Sequence, residues 1–304
     1  MRTGERVLVT GAAGYLGWFV AGELCRRGYL VVGTSRDGEG MPEGVEAVSL
    51  QLDDGGSTAA ELVARLRPAV ILHLAALSSP DDCARDPERA QRVNGSATGA
   101  LARAAAGCGG YLVYTSTDLV FDGTRAPYRE EDPPGPMGPY MATKVLGEQE
   151  VLAVSEEFLV ARVALLYGRR GGRKGSFSDW LLQQATRGQS ATLFTDQWRT
   201  PAEVEDAASI LADLLERRPG GLLHLGGPER VSRYEHGLAL VQGHGLDGGV
   251  CQPIQVQDLP HLAPRPADAS LCIGRLCEVL GRAPLGIEAG CSTSASRPGS
   301  VGSD

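Results

Sequence analysis

A chain of 304 residues is long enough for one large domain or two smaller ones around a real core. Its 42% hydrophobic and 22% charged residues are an ordinary balance for a soluble globular protein, and a net charge of −8 argues against general nucleic-acid binding.

In chain order, RVLVT reads as a buried strand, residues 15–27 as a helix and LVVGTS as a second strand. VEAVSLQL reads as a third strand, and TAAELVARLR as a helix closed by Pro68. AVILHLAAL is a fourth strand, ERAQRVNGSATGALARAAA one long helix and GYLVYTST a fifth strand. Apolar runs of strand length separated by amphipathic helices imply parallel strands covered on both faces. The expected fold is a Rossmann-type, doubly wound α/β sheet. A loop rich in Gly and Pro, FDGTRAPYREEDPPGPMGP, then leads to a helix carrying Tyr140 and Lys144, and EFLVARVALLYG reads as a sixth strand. Beyond Gly168, RRGGRKGS reads as a flexible loop, and VEDAASILADLLERR with GGLLHLGG as a helix and strand returning to the sheet. Residues 285–304, rich in Gly, Ser and Ala, read as a disordered tail. The expected division is a cofactor domain over 1–168 and a smaller substrate-binding domain mainly over 169–284, with 203–226 rejoining the first sheet.

The opening MRTGERVLVT leaves no room for a signal peptide, and PAVILHLAAL is too short to span a bilayer. Seven cysteines without a C-x-x-C pair suggest neither a zinc site nor a disulfide framework, so a reducing cytoplasm is the expected setting. His73 and His224 lie in apolar strands and read as core residues. His236, His244 and His261 are scattered, and Trp180 and Trp198 read as packing residues.

VLVTGAAGYLGWFVAGELCRRG places Gly11, Gly14 and Gly17 between the first strand and the first helix. Glycines there permit a tight turn and the close approach of a pyrophosphate to the helix N-terminus. The spacing G-x-x-G-x-x-G is one residue wider than the standard dinucleotide fingerprint. At the end of the second strand, where an NAD site places an acid for the ribose, the chain reads Ser35 and Arg36. A hydroxyl beside a guanidinium favours the 2′-phosphate of NADP, although Asp37 follows directly and weakens that assignment.

The chain has only two lysines, and Lys144 stands four residues after Tyr140, on the same helix face one turn on. Carbonyl reduction by hydride needs a proton for the developing alkoxide, and a phenol can give it. A neighbouring ammonium would lower the phenol's pKa from its ordinary value near 10.

These features together resemble the extended short-chain dehydrogenase/reductase family, and within it the dTDP-4-dehydrorhamnose reductases and related nucleotide-sugar reductases. The resemblance spans about residues 5–280 and rests on TGAAGYLG, HLAA, TSTDLVFDG, APYREEDPPGPMGPYMATK, RVALLYG and RPADASL. It implies that Gly11, Gly14 and Gly17, with Tyr15 and Leu16, hold the cofactor pyrophosphate. It places Ser35 and Arg36 at the adenosine phosphate. Leu52, Leu74, Ala75, Ala76, Thr115 and Val163 would line the cofactor. Thr117, Tyr140 and Lys144 would form the active centre, with Lys144 also on the nicotinamide ribose. Ser116 is the neighbouring candidate to Thr117, but strand alternation sends only one of them to the site. Asn94 occupies the position of a structural asparagine. The family's D-L-x-D turn at the adenine reads QLDD here, with Gln51 first and Asp53 as a substitute, and its G-x-N-F stretch reads GSF. Ser176, Phe177, Arg199 and Arg265 would contact the substrate.

The implied activity is NADPH-dependent reduction of the 4-keto group of a nucleotide-linked 4-keto-6-deoxy sugar, as in deoxysugar biosynthesis. A homodimer is compatible with the resemblance. A sugar-nucleotide epimerase is the enzyme alternative. Dehydratases carry a glutamate where this chain has Leu119. The non-catalytic alternative is an NADP-binding regulatory subunit, as in the beta subunit of methionine adenosyltransferase.

Overall fold

The apolar runs become parallel strands in the structure, a computed structural model that describes residues 4–169, 171–173, 175–259 and 265–296. The first half comprises β1 (Arg6–Thr10), α1 (Tyr15–Arg26), β2 (Leu30–Ser35), β3 (Glu46–Ser49), α2 (Ser57–Leu66) and β4 (Val70–His73). Then come α3 (Pro80–Arg85), α4 (Pro87–Ala90), α5 (Ala97–Cys108), β5 (Tyr111–Thr117), α6 (Pro139–Val154) and β6 (Leu159–Val163). The second half holds β7 (Leu166–Tyr167), α7 (Phe177–Thr186), β8 (Ala191–Phe194), β9 (Trp198–Arg199), β10 (Ala202–Glu203) and α8 (Val204–Arg217). It ends with β11 (Gly221–Leu225), β12 (Val231–Ser232), α9 (Arg233–Gly243), β13 (Cys251–Ile254), α10 (Gly274–Leu280) and α11 (Ile287–Ser296).

Seven strands form one parallel sheet in the order β11-β6-β5-β4-β1-β2-β3. Every residue of β4, β5 and β6 is buried, as strands covered on both faces require. α1 packs against α8, while α2, α5 and α6 pack in series. The strand order reverses direction between β1 and β4, and ligands of such sheets bind beyond the strands' carboxyl ends at that reversal. A second apolar cluster, with Tyr167, Leu181, Leu193, Leu240 and Cys251 at its centre, gathers α7, α9 and α11 around the short β8–β13 pair.

Two local readings change. The long helix expected after β4 is interrupted: residues 91–96 form a π-helical segment between α4 and α5. The expected tail is helical as far as Ser296, and residues 297–304 lie outside the described residues. α11 buries Ile287, Gly290, Cys291 and Ser294, spaced to share one helix face. Its small residues are a condition of close approach, because a Cβ on Gly290 would lie 2.0 Å from the Tyr167 hydroxyl oxygen.

The seven cysteines are all free thiols. Among the described residues, no helix is long and apolar enough to cross a membrane.

Candidate active site at the carboxyl end of the sheet

The turn from β1 into α1 lies at the carboxyl end of the sheet. Gly11 has φ +73°, and a Cβ on it would lie 2.9 Å from the Ala75 backbone. A Cβ on Gly17 would lie 2.2 Å from the Gly11 carbonyl oxygen, so the glycines let loop, helix and the segment after β4 close on one another. Thr10 ties that segment down: its hydroxyl oxygen accepts from the N–H groups of Leu74 and Ala75, both at 3.2 Å, and meets His73 Nδ1 at 2.7 Å. Gly14 caps α1 without any side-chain partner, and the first turn of the helix carries no acid. Such N–H groups attract an anion, and the bare backbone gives room for a pyrophosphate. Tyr15 and Leu16 open the helix and pack against the core.

At the end of β2 the Ser35 hydroxyl lies 3.0 Å from both Asp37 Oδ1 and the Glu39 carbonyl oxygen, while Arg36 is exposed. Ser35 is therefore engaged within its own turn. Leu52 is buried. Asp53, the substitute at the adenine turn, pairs with Arg89 of α4, so one of its oxygens is already engaged.

Asn94 sits in the π-helical segment and fastens the loop after β4 to α6. Its Oδ1 accepts from the Leu77 N–H at 2.8 Å, and its Nδ2 donates to the Leu77 carbonyl and the Thr143 hydroxyl, each at 3.1 Å. The same loop begins at His73, which is buried between Thr10 and Thr98 and kept neutral by burial, its pKa pulled down to about 3. His224 is buried likewise, with Nδ1 at 3.2 Å from the Cys272 carbonyl. Neither is placed to act as a base.

Thr117 ends β5 and Tyr140 begins α6, directly after Pro139 at the first helical position. Both line a pocket of about 300 Å³, with Val163, Leu119 and Ser78 also on its wall. Ser116 is not on that wall, in keeping with strand alternation. The Thr117 hydroxyl donates to Asp118 Oδ1 at 3.0 Å and accepts from the Leu119 N–H at 3.2 Å.

Lys144 is buried on the inner face of α6. Its ammonium donates to the Thr115 carbonyl at 2.7 Å and stands 4.2 Å above the centre of the Tyr114 ring. Burial pulls it down to about 7, against the opposing pull of Glu148. The Tyr140 phenol is held above its ordinary value, first by burial and then by the Asp118 carboxylate, with the Thr117 hydroxyl opposing. This reverses the direction expected from Tyr–Lys spacing. The physical reason is that the ammonium is engaged on β5 and its own charge is weakened by the same burial.

The pocket also has basic lining. Arg199, Arg233 and Arg265 line it with Gln197, and the Asp118 carboxylate lies among them. Arg199 is a clamp: its Nη1 donates to the carbonyls of Trp198 (2.6 Å) and Ala267 (3.3 Å), and its Nη2 to that of Pro266 (3.0 Å). Its remaining Nε lies 3.8 Å from Asp118 Oδ2. It fixes the segment that carries Arg265, which is exposed at the pocket rim. Arg233 opens α9, and its guanidinium lies 4.0 Å from the Phe177 ring centre. Its Nη1 is buried without a hydrogen-bond partner. Burial and the neighbouring Arg199 pull Arg233 down to about 10. An anion in this pocket would relieve that like-charge crowding.

Two of the residues expected at the substrate have structural contacts. Ser176 is the N-cap of α7: its hydroxyl accepts from the Asp179 N–H at 3.1 Å, while Asp179 Oδ2 accepts from the Ser176 N–H at 2.6 Å. Phe177 supports Arg233 and is not on the pocket wall. Reading the sequence did not find Arg233, Gln197 or Asp118. The only local signal for Arg233 is the capping pattern Ser232-x-x-Glu235, which places a helix start but says nothing of where the arginine reaches.

The family model for the RmlD substrate binding domain matches residues 5–288. Methionine adenosyltransferase 2 subunit beta of Pongo abelii is 36% identical over 284 residues, covering 91% of this chain and 83% of that protein. The "Probable low-salt glycan biosynthesis reductase Agl14" of Haloferax volcanii is 30% identical over 277 residues, covering 90% of this chain and 91% of that one. A dTDP-4-dehydrorhamnose reductase from Bacillus anthracis, solved in complex with NADP, superposes with a TM-score of 0.85 at 24% identity, covering 96% of this chain and 99% of that one. With the glycine turn, the Thr117–Tyr140 pocket and this match over nearly its whole length, the chain belongs to the RmlD substrate-binding-domain family of dTDP-4-dehydrorhamnose reductase-like extended short-chain dehydrogenases/reductases.

Proposed function

We propose that this protein reduces the 4-keto group of a nucleotide-linked 4-keto-6-deoxy sugar, with dTDP as the nucleotide and NADPH as the reductant. The observation that carries the reading is the shared pocket. Thr117 and Tyr140 line it together with Arg233 and Arg265, whose guanidinium groups suit a diphosphate joined to the ketone in one substrate. NADPH, when bound, supplies the hydride. Gly11, Gly14 and Gly17, the N–H groups opening α1, Ala75, Ala76 and Val163 are the residues that would hold it.

Tyr140 gives the proton to the substrate oxygen. Its raised pKa keeps the phenol protonated through neutral pH, and an alkoxide is a far stronger base than a phenolate, so the transfer runs toward the alcohol. The Thr117 hydroxyl donates its hydrogen bond to Asp118, which leaves its oxygen lone pairs to position the phenol. Arg265 and Arg233 receive the diphosphate, and Arg199 holds the segment on which Arg265 stands. Binding energy taken from the nucleotide end supports catalysis as well as affinity, so the free keto sugar should be a poor substrate.

The test is NADPH oxidation by the purified protein against a panel of nucleotide-linked 4-keto sugars, with Arg265→Ala compared on linked and free sugar. The variant should lose most of its preference for the linked form while binding NADPH normally. Release of oxidised cofactor in step with product separates a reductase from an epimerase.

A second reading is favoured by the 36% identity to proteins named methionine adenosyltransferase 2 subunit beta. On that reading the chain binds NADP and a partner enzyme without turnover of its own. Absence of turnover across the sugar panel, with cofactor binding intact, would select it.

A further inference from the structure

We propose that Arg173, on the segment that follows β7, sets the cofactor preference by masking Asp37 at the end of β2. The inference rests on the dinucleotide reading of the glycine turn and deepens it. Asp37 lies two residues past the end of β2, close to where a Rossmann site places the acid that accepts a ribose 2′-hydroxyl, and a free carboxylate there would favour NAD and repel a 2′-phosphate. Its carboxylate is not free. Arg173 Nη1 donates to Asp37 Oδ2 at 2.5 Å, and the Ser35 hydroxyl and the Glu39 N–H donate to Oδ1 at 3.0 and 3.1 Å.

The pairing joins residues 136 positions apart, and the backbone is shaped for it. The Arg173 N–H donates to the Ala13 carbonyl at 3.1 Å, which seats its segment on the glycine turn itself. Gly172, at φ +66°, would bring a Cβ within 2.6 Å of the same carbonyl oxygen. Gly40, at φ +79°, would bring one within 2.4 Å of the Arg173 Cδ. Glycine at both positions is therefore the clearance that lets the arginine stem reach Asp37. An exposed ion pair contributes little to stability, so this cross-chain arrangement is better explained by its effect on a ligand than by its effect on the fold.

The chemistry is charge balance. Arg173 covers the Asp37 carboxylate and, with Arg36, balances the two acids of the turn, Asp37 and Glu39, which lets a phosphate approach. Without Arg173, Arg36 stands alone against two carboxylates and the 2′-phosphate is repelled.

The experiment measures dissociation constants for NADPH and NADH by calorimetry on the parent, Arg173→Ala, Asp37→Asn and the double variant, with thermal unfolding as a check on folding. Arg173→Ala should shift the NADPH-to-NADH affinity ratio at least about tenfold toward NADH, an amount set by the loss of one charge-assisted contact. In the Asp37→Asn background, the same change should shift the ratio less than about threefold, because there is no longer a carboxylate to mask. An unchanged ratio in Arg173→Ala, or equal shifts in both backgrounds, overturns the masking role. A parent that prefers NADH overturns it too. Binding of neither dinucleotide to the parent removes the cofactor reading itself, and the proposal with it.

Discussion

Replacing Lys144 by methionine removes a buried charge while keeping an unbranched side chain of similar length. In the folded chain the ammonium is desolvated, and the Thr115 carbonyl and Tyr114 ring that face it only partly compensate. Its pKa falls from the ordinary 10.5 to about 7. Because the folded value is the lower one, the unfolded chain binds more protons between the two values. The penalty of carrying the charge is therefore full below about 7 and relieved as pH rises toward 10.5. At about 1.4 kcal/mol per unit, integration from about pH 6 to about pH 9 gives the parent about 3 kcal/mol of stability that Lys144→Met does not gain. The assay is urea unfolding of both proteins at the two pH values. The readout is the difference of differences, which cancels every other titrating group the two share. Parallel pH dependences, differing by less than about 1 kcal/mol, would show that the lysine is solvated or ion-paired and would refute the reasoning.

Tyr140→Phe should lower turnover of the keto sugar by about 10²- to 10⁴-fold, the range of a lost general acid, with NADPH affinity unchanged; retained turnover would reassign the proton donor. Glu148 and Arg162 form a buried two-bond pair at 3.0 and 2.8 Å, so Glu148→Ala should cost about 3–5 kcal/mol in urea unfolding by leaving the guanidinium unpaired, and a cost under about 1 kcal/mol would contradict that. Gly290→Leu should destabilise the chain by about 1–3 kcal/mol and make α11 sensitive to protease, since any side chain there meets Tyr167; an unchanged cleavage pattern would deny the contact.

The parallel sheet was legible because its strands are short, apolar and bounded by turns, and because β1 is followed at once by the glycine turn. Tyr140 was legible for a different reason, its spacing to a rare lysine on one helix. What that spacing could not show is where the lysine points, since this depends on the Thr115 carbonyl of a strand 29 residues earlier. Ser176 begins a Ser-x-x-Asp helix-start pattern, so its capping of α7 is legible in the sequence alongside the substrate contact that the resemblance implies. The end of the chain was misread because small residues signal disorder by composition and close packing by position, and only Tyr167 decides between the two. Arg173 and Asp37 could not be joined from sequence at all, since nothing periodic links them.

The return of β11 to pair with β6 has a consequence for synthesis. Gly221 pairs with Leu159, so β6 is an open edge while the whole segment between them leaves the ribosome. During that interval α1 also lacks α8, the helix that covers it in the finished fold. The nascent chain thus carries an unpaired strand and an uncovered apolar helix face until residue 225 has emerged, the two features that invite association with other chains. Cutting the gene after residue 168 would make that interval permanent. The glycine turn and the Tyr140 helix would both be present in such a fragment, on a sheet that ends at the buried, apolar strand β6.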